Sequence, residues 1–572
     1  MGPTALSLTD FSVCFEDGVH KVQALDEINL TLERGGSLGI IGESGSGKTT
    51  LALAVMGLLA KTAVTAGGVF YEGCELSALP ERERYSYRWR KIAIVFQNSL
   101  DVLNPVLTIG EQVGECLRRH TGLTGPVIGE KVRRLLKSVN LDPVWAGYYP
   151  HQLSGGMRQR VLIAMALACD PRILIIDEPT NALDAPAKNE IIKLLNGLHQ
   201  EKGFGLIVIS HELPVISNLT TRLAVIYRGR IVEEGMTRDI IMNPLHPYTR
   251  GLIHAAPDFD PFRDLWGIPD GPEEGTAAGC VFYPRCNQHQ EQCSRVRPIL
   301  KYAALERKVA CNRGGIVTLL KGTNISKAFQ FRGNSVQACV DCTMEIRSGE
   351  VIALIGESGS GKTTLANVLA GILAPDEGVV RFGGETVSGN NFTRRRGGIQ
   401  IVFQDPFSAI NEQFTVEDAV REPLDLEKRL SVMERKDRVI RALDELQLPG
   451  DEAFLTRRCY VLSGGQRQRV ALARALVMEP SVLIADEISS MLDPSTQANI
   501  LRLLKGIQNR SGFAMVYITH DMAVARKIAD RVYVMRAGKI IENGPAAIIF
   551  RNPVEEYTQK LLDIALSGHN FS

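Results

Sequence analysis

The nine residues Gly42, Glu43, Ser44, Gly45, Ser46, Gly47, Lys48, Thr49 and Thr50 recur unchanged as Gly356, Glu357, Ser358, Gly359, Ser360, Gly361, Lys362, Thr363 and Thr364. Each copy follows an apolar run, Ser37 to Ile41 in one case and Val351 to Ile355 in the other. The first copy opens the helical pattern Leu51 to Met56. Strand, Gly-rich turn and helix start is the context that a phosphate-binding loop requires. A loop that wraps a triphosphate points several backbone N–H groups inward, and glycines permit those angles. The helix start adds free N–H groups and a positive dipole end. Lys48 and Lys362 then reach the β- and γ-phosphates, and the hydroxyls of Thr49 and Thr363 offer a ligand to Mg²⁺.

The duplication extends well beyond the loops. Lys91 to Phe96 reads as a strand ending in Gln97, and Gln404 lies 307 residues further on. Leu153-Ser154-Gly155-Gly156 feeds an apolar helical run, and Leu462-Ser463-Gly464-Gly465 repeats it after 309 residues. A Ser-Gly-Gly turn at a helix start is a second anion site in waiting. Arg172 to Ile176 is a buried strand that ends in Asp177 and Glu178, matched 309 residues later by Asp486 and Glu487. Of two adjacent acids at a strand end, one can hold a Mg²⁺ shell while the other polarises a water. A further strand, Gly205 to Ile209, runs into His211, and its counterpart runs into His520. Polar strand ends face the ligand crevice of a doubly wound sheet. Between the loop and the signature, residues from about 106 to 148 read as helical, and Leu6 to Leu32 reads as short strands with a turn at Asp17-Gly18. An aromatic ring upstream of each loop, Phe15 and Phe329, is placed to stack on an adenine. The alternative for Phe15 is ordinary core packing.

Composition narrows the partners. The chain has 572 residues, 45% hydrophobic and 23% charged, with a formal net charge of +1. That is an ordinary globular balance, and nothing electrostatic asks for nucleic acid. No apolar stretch approaches the roughly 20 residues of a membrane span. The N-terminal residues carry no signal-peptide pattern, and Leu6 stands where myristoylation wants Ser or Thr. Eleven cysteines are unevenly spread, and Cys280, Cys286, Cys293 and Cys311 share one short window. Without a secretion signal, such clustering suggests a metal site before disulfides. Cys339 and Cys342 lie in an expected strand, where alternation puts residues three apart on opposite faces, so they read as packing residues.

Six ordered motifs found twice resemble the ATP-binding proteins of ABC transporters, with two nucleotide-binding domains fused in one chain. The motifs are the Walker A loop, the Q-loop glutamine, the LSGG signature, the Walker B strand, the D-loop (Ala182-Leu183-Asp184; Met491-Leu492-Asp493) and the switch histidine. Met157, Ile488 and Met491 depart from the usual residues, each beside a catalytic position. The resemblance implies an α/β fold duplicated in tandem, each half with an α/β core, an antiparallel β subdomain and a helical subdomain. It implies ATP and Mg²⁺ bound head to tail between the halves. One site takes Lys48, Thr49, Gln97, Asp177, Glu178 and His211 with Ser463, Gly464 and Gly465. The other takes Lys362, Thr363, Gln404, Asp486, Glu487 and His520 with Ser154, Gly155 and Gly156. Glu178 and Glu487 are then the general bases, the histidines contact the γ-phosphate, and Mg²⁺ is served by Thr49, Gln97, Asp177, Thr363, Gln404 and Asp486.

The cysteine segment, with Asn243 to Thr249, resembles the C-terminal extension of the oligopeptide/dipeptide/nickel importer ATPases, a D-type half joined here to an F-type half. The ends of the halves match too, Asn243-Pro-Leu-His-Pro-Tyr-Thr249 against Asn552-Pro-Val-Glu-Glu-Tyr-Thr558. The expected division is a first ABC domain at 1–240, a Cys-bearing extension at 241–315 and a second ABC domain at 316–572. The four cysteines lack the paired knuckles of structural zinc sites. Looser spacing suits iron–sulfur ligation, and a [4Fe–4S] cluster is what the resemblance implies, with zinc as the alternative. Two integral membrane permease subunits docking near Gln97 and Gln404 are implied. So are an extracytoplasmic solute-binding protein and a place on the cytoplasmic face of the membrane. The competing expectations are a soluble tandem ATPase acting on ribosomes or nucleic acid, and a metal-sensing regulator. The solute stays open among peptides, nickel or metal chelates and glutathione.

Overall fold

The computed structural model describes residues 3–16, 21–96, 102–181, 183–256, 266–268, 278–331, 334–393, 395–405, 410–426, 430–488 and 492–567. The chain divides into two compact units. One comprises Met1–Phe259, Pro272–Pro284 and Glu291–Gly315, and the other Asp260–Gly271, Arg285–Gln290 and Ile316–Ser572.

In the first unit, β1 (Thr4–Glu16), β2 (Lys21–Glu33), β4 (Ala63–Tyr71) and β5 (Cys74–Glu75) form an antiparallel sheet ordered β2-β1-β4-β5. The short strands expected before Leu32 are two long ones. They bend at bulges where Asp10 and Glu27 take positive φ, so the alternation in sequence is broken while the pairing continues. The second sheet carries β3 (Ser37–Ile41), β6 (Ile92–Val95), β7 (Ile173–Asp177), β8 (Gly205–Ile209), β9 (Arg222–Tyr227) and β10 (Arg230–Met236). Its strands β3, β6, β7 and β8 are parallel. Every residue of β3, β7 and β8 is buried, as a parallel strand covered on both faces must be. Around this core run α1 (Lys48–Val55), α2 (Ile109–Thr121), α3 (Pro126–Ser138), α4 (Gly155–Leu167), α5 (Ala185–Lys202), α6 (Leu213–Leu219) and α7 (Pro247–His254). Helices α2 and α3 fall in the segment expected to be helical. Thr108 and Glu111 close a capping box at the start of α2.

The extension then adds β11 (Lys301–Ala304) and β12 (Arg307–Val309) to the same sheet, whose order is β11-β12-β10-β9-β3-β8-β7-β6. Charge fixes the join. Arg307 pairs at 2.6 Å with Glu233 of β10, and the Glu233 side chain is fully buried. Lys308 pairs with the buried Glu234 at 3.3 Å. A buried carboxylate is tolerable only with such partners.

The second unit repeats the plan. Strands β13 (Thr318–Phe331), β14 (Asn334–Arg347), β16 (Glu377–Phe382) and β17 (Glu385–Thr386) form the antiparallel sheet, ordered β14-β13-β16-β17. Strands β15 (Val351–Ile355), β18 (Ile399–Val402), β19 (Val482–Asp486), β20 (Ala514–Thr519), β21 (Arg531–Arg536) and β22 (Lys539–Pro545) form the other, ordered β18-β19-β20-β15-β21-β22. Its helices include α8 (Lys362–Leu369), α9 (Val416–Asp425), α10 (Val432–Glu445), α11 (Gly464–Leu476), α12 (Pro494–Ser511) and α13 (Met522–Ile528). No described helix of either unit is long and apolar enough to cross a membrane.

One sequence expectation fails here. Cys339 and Cys342 of β14 do not lie on opposite faces: both are fully buried in the same core cluster, and the Cys342 thiol donates to the Gly538 carbonyl at 3.1 Å. Asp341 between them adopts φ 50° in a stretch of shifted register, so the strict two-residue period does not hold across it. Their reading as packing residues stands.

Candidate functional site

Both phosphate loops sit where a buried parallel strand turns into a helix. Gly47 and Gly361 cap those helices at φ 102° and 104°. A Cβ there would come within 2.5 Å of the Ala24 carbonyl and 2.0 Å of the Ala338 carbonyl, so the turn admits only glycine. The Lys48 ammonium donates to the carbonyls of Gly42 and Glu43 at 2.9 and 2.8 Å. Lys362 does the same to Gly356 and Glu357, both at 2.8 Å. Burial lowers the pKa of each lysine, and the neighbouring carboxylates oppose that shift. Each ammonium is thus held inside its loop, ready to exchange carbonyl partners for phosphate oxygens. Ser44, Gly45 and Thr49 face solvent beside it, with Thr50 half-buried.

The strand ends converge on the same crevice. Thr49 donates to Asp177 at 2.9 Å. Burial raises the pKa of Asp177, and the Thr49 hydrogen bond works against it; Asp486 behaves alike with Thr363. A hydroxyl beside a carboxylate is an all-oxygen donor set of the kind Mg²⁺ takes, so these residues fit that ion. Glu178 and Glu487 follow directly at φ 54° and 45°, strained angles for a side-chain-bearing residue. The strain turns each carboxylate away from the strand axis. Glu178 meets His211 Nδ1 at 2.8 Å and accepts from the Ser210 hydroxyl at 3.3 Å. Glu487 meets His520 Nδ1 at 3.4 Å and accepts from the Gln404 amide at 3.0 Å. Gln97, the counterpart of Gln404, lies outside the described residues, as do Ala182 and Met491 of the D-loops.

The signatures cap helices as expected. Ser154 accepts from Met157 N at 3.4 Å, and Ser463 accepts from Gln466 N at 3.3 Å. Gln466 returns a bond to Ser463 N at 3.1 Å and closes a capping box, which the Met157 side chain has no amide to do. Ser154, Gly155 and Gly156 line a pocket with Leu183, Asp184 and Trp145. Gly464 and Gly465 begin α11 in the same way. Phe15 is half-buried and packs against the core of the first unit. Phe329 is 40% exposed, with the Lys327 ammonium 6.0 Å from its ring centre.

Sequence reasoning missed two sets of residues. The matching ends of the halves contain Tyr248 and Tyr557, whose phenol oxygens accept from the Walker-loop amides of Glu43 at 2.8 Å and Glu357 at 3.2 Å. The match of Asn243–Thr249 to 552–558 was the signal, and the reason for it appears only in the fold. The other set is Glu212 and Lys188, which fall on no motif and which join Thr180 and Ser210, residues beside the motif acids and histidine.

The cysteines of the extension are placed less favourably. Cys280 N donates to Cys293 O at 2.8 Å. Burial raises the Cys280 thiol pKa, and the neighbouring Cys311 and Cys293 sulfurs add to the rise. Cys286 belongs to the other compact unit, where its carbonyl accepts from His289 N at 3.4 Å. Among the described residues no three His, Cys, Asp or Glu side chains stand close enough to hold a metal. Three thiols are brought near one another, but the residues as placed do not form a cluster site.

Comparison with known proteins settles the family. Residues 25–181 and 339–490 both match the model described as ABC transporter. This chain belongs to the ABC transporter family. Residues 232–293 match a second model, the oligopeptide/dipeptide transporter C-terminal region. The chain is 35% identical over 580 residues to the glutathione import ATP-binding protein GsiA of Escherichia coli K12, covering 97% of this chain and 89% of that one. It is 34% identical over 603 residues to the oligopeptide transport ATP-binding protein OppD of Mycobacterium tuberculosis, covering 97% of each. As an ABC protein with two fused cassettes, it is an ATPase coupled to transport, and the duplicated α/β expectation holds. The ribosomal and nucleic-acid reading finds no support among these relatives.

Proposed function

We propose that this chain is the ATP-hydrolysing subunit of a membrane importer for peptides, glutathione or related small solutes, nickel and metal chelates among them. It would work at the cytoplasmic face with two permease subunits and, through them, an extracytoplasmic solute-binding protein. One observation carries the reading. In each unit a loop lysine, a strand-end acid pair and a histidine come together, and an extension of the oligopeptide/dipeptide type follows the first. The domain reading 1–240, 241–315 and 316–572 belongs to the same proposal.

In each site the loop lysine neutralises the β- and γ-phosphates, and the helix dipole adds to it. Mg²⁺, when bound through Thr49 and Asp177 or through Thr363 and Asp486, supplies charge neutralisation at the phosphates. Gln404, which donates to Glu487, would assist in the second site, and Gln97 is its counterpart by sequence. Glu178 and Glu487 take the proton of the attacking water. His211 and His520 hold those carboxylates in orientation and lie at the mouth of the crevice, toward the γ-phosphate. Phe15 and Phe329 are proposed as adenine platforms. The four-thiol composition of the extension supports a [4Fe–4S] cluster at Cys280, Cys286, Cys293 and Cys311, with zinc as the alternative. Because the thiols do not form a ready site, no step is assigned to it.

The deciding experiment is reconstitution with the two permeases in vesicles. Solute uptake that depends on ATP, and that stops in the Glu178→Gln/Glu487→Gln chain, is expected. ATP hydrolysis that co-sediments with ribosomes and ignores the permeases would overturn the reading. Anaerobic purification with iron, sulfide and zinc analysis tests the cluster. About four irons per chain is expected for a cubane, and metal-free protein would remove it.

A further inference from the structure

The general base of the first site is tied to a charged pair that has no counterpart among the described residues of the second. Lys188, in the first turn of α5, donates to both carboxylate oxygens of Glu212 at 2.9 Å. Thr180, fully buried just after the Walker B strand, donates to the same carboxylate at 3.2 Å. The backbone amide of Glu212 donates to the Ser210 hydroxyl at 3.0 Å, and that hydroxyl donates onward to Glu178. The Glu212 side chain is 12% exposed, so water screens the pair little. A continuous polar chain therefore runs from α5 to Glu178, and His211 sits within it between Ser210 and Glu212.

The second unit is wired differently, and chemistry explains why. Glu212 is matched by Asp521, one methylene shorter, and Lys188 by Gln497. The shorter carboxylate folds back on its own helix and caps α13, accepting from Ala523 N at 2.8 Å and Val524 N at 3.1 Å. Glu212 occupies the same cap position on α6 but makes no side-chain cap bond, because its longer arm reaches across to α5. Ser210 is matched by Thr519, whose hydroxyl accepts from Asp521 N at 2.9 Å.

We propose that Lys188 and Glu212 are positioning residues for the first ATP site alone: they fix the segment Ser210–Glu212 so that the Ser210 hydroxyl and the His211 ring hold Glu178 for proton abstraction. The two sites then differ in how firmly their bases are held, although both carry every catalytic side chain. The proposal rests on Glu178 and Glu487 being the general bases. An orientation lost at such a carboxylate lowers turnover without weakening ATP binding.

The test is steady-state ATP hydrolysis by the full chain. It is made in the Glu487→Gln background where that chain keeps turnover. It is made in the otherwise native chain where it does not, since the sites then act only together and a defect in one limits both. Lys188→Gln should lower kcat about tenfold with KM for ATP changed less than about twofold. Lys188→Arg, which keeps the cation, should recover most of the loss. Gln497→Ala, at the matching place of the second half, should leave kcat of the native chain unchanged. Unchanged kcat in Lys188→Gln, a rise in KM alone, no recovery with arginine, or an equal fall with Gln497→Ala would each overturn the proposal. Turnover surviving in the Glu178→Gln/Glu487→Gln chain would instead overturn the general-base reading beneath it.

Discussion

The two halves carry the same motifs at nearly constant spacing, yet their surroundings diverge at two places. One is the base. Glu178 is held by Ser210 and by His211 at 2.8 Å, whereas Glu487 takes a bond from Gln404 and meets His520 at 3.4 Å. The other is the far edge of the parallel sheet. In the first unit β10 is covered by β12 and β11, and Glu233 is clasped by Arg307 and by the amides of Leu245 and His246. In the second, β22 ends the sheet among the described residues, and the matching Glu542 accepts from Val554 N and Glu555 N. The motifs are alike in the two halves, and their supports are not. The first half gained an electrostatic latch for its extension, and with it a buried ion pair whose loss is costly.

The largest expected effect tests whether the halves share chemistry. Glu178→Gln with Glu487→Gln should cut turnover by on the order of 10²–10⁴ while ATP still binds, read by hydrolysis and nucleotide-binding assays. Turnover near normal in that chain would contradict the shared mechanism. Next comes the sheet edge. Arg307→Ala strands a buried carboxylate, with an expected cost of about 3–5 kcal/mol, against about 1 kcal/mol for Glu542→Gln in the second half. Denaturant unfolding, with protease cleavage of the extension as a second readout, compares them; equal losses would erase the contrast.

A pH effect should separate the halves further. His246 is fully buried and caps α7, accepting from Tyr248 N at 3.1 Å, and burial pushes its pKa from 6.5 to about 3. The matching residue in the second half is the exposed Glu555. Between pH 6.5 and 3 the unfolded chain binds a proton at His246 that the folded chain does not, so stability falls as pH falls through that window. By pH 5 the loss is about 2 kcal/mol. His246→Asn, which keeps a capping acceptor, should flatten this slope in unfolding of the first unit between pH 7 and 5. An unchanged slope would show that the acid sensitivity lies elsewhere. The smallest effect concerns the signatures. Met157→Gln should close the capping box that Gln466 closes in the other half and stabilise the first unit by about 0.5 kcal/mol. A shift in thermal midpoint, opposite in sign to that of Gln466→Met, is the check.

Much of the site was legible because its chemistry is local. A glycine that must sit at positive φ, a lysine six residues after the turn begins, and an acid pair ending an apolar strand are all properties of short stretches. They announce themselves in order. What fails to show is whatever depends on length of reach or on breaks in period. Asp341 at positive φ brings Cys339 and Cys342 together against strand alternation. Nothing in the sequence marks Glu212 as a partner of Lys188 rather than a helix cap.

By itself, then, the sequence determined the duplicated α/β plan, the phosphate loops, the paired acids and the family, because each follows from residue types at fixed short spacings. Only the tertiary structure decided three further things. The extension adds strands to the first sheet through Arg307 and Glu233. Tyr248 and Tyr557 reach back to the phosphate loops from about 200 residues away, as the intervals from Glu43 and Glu357 require. And Glu212 reaches across to Lys188 of α5, whereas the matching Asp521 caps its own helix. Those contacts join segments far apart in the chain, and a single methylene or a single bulge settles which of them form.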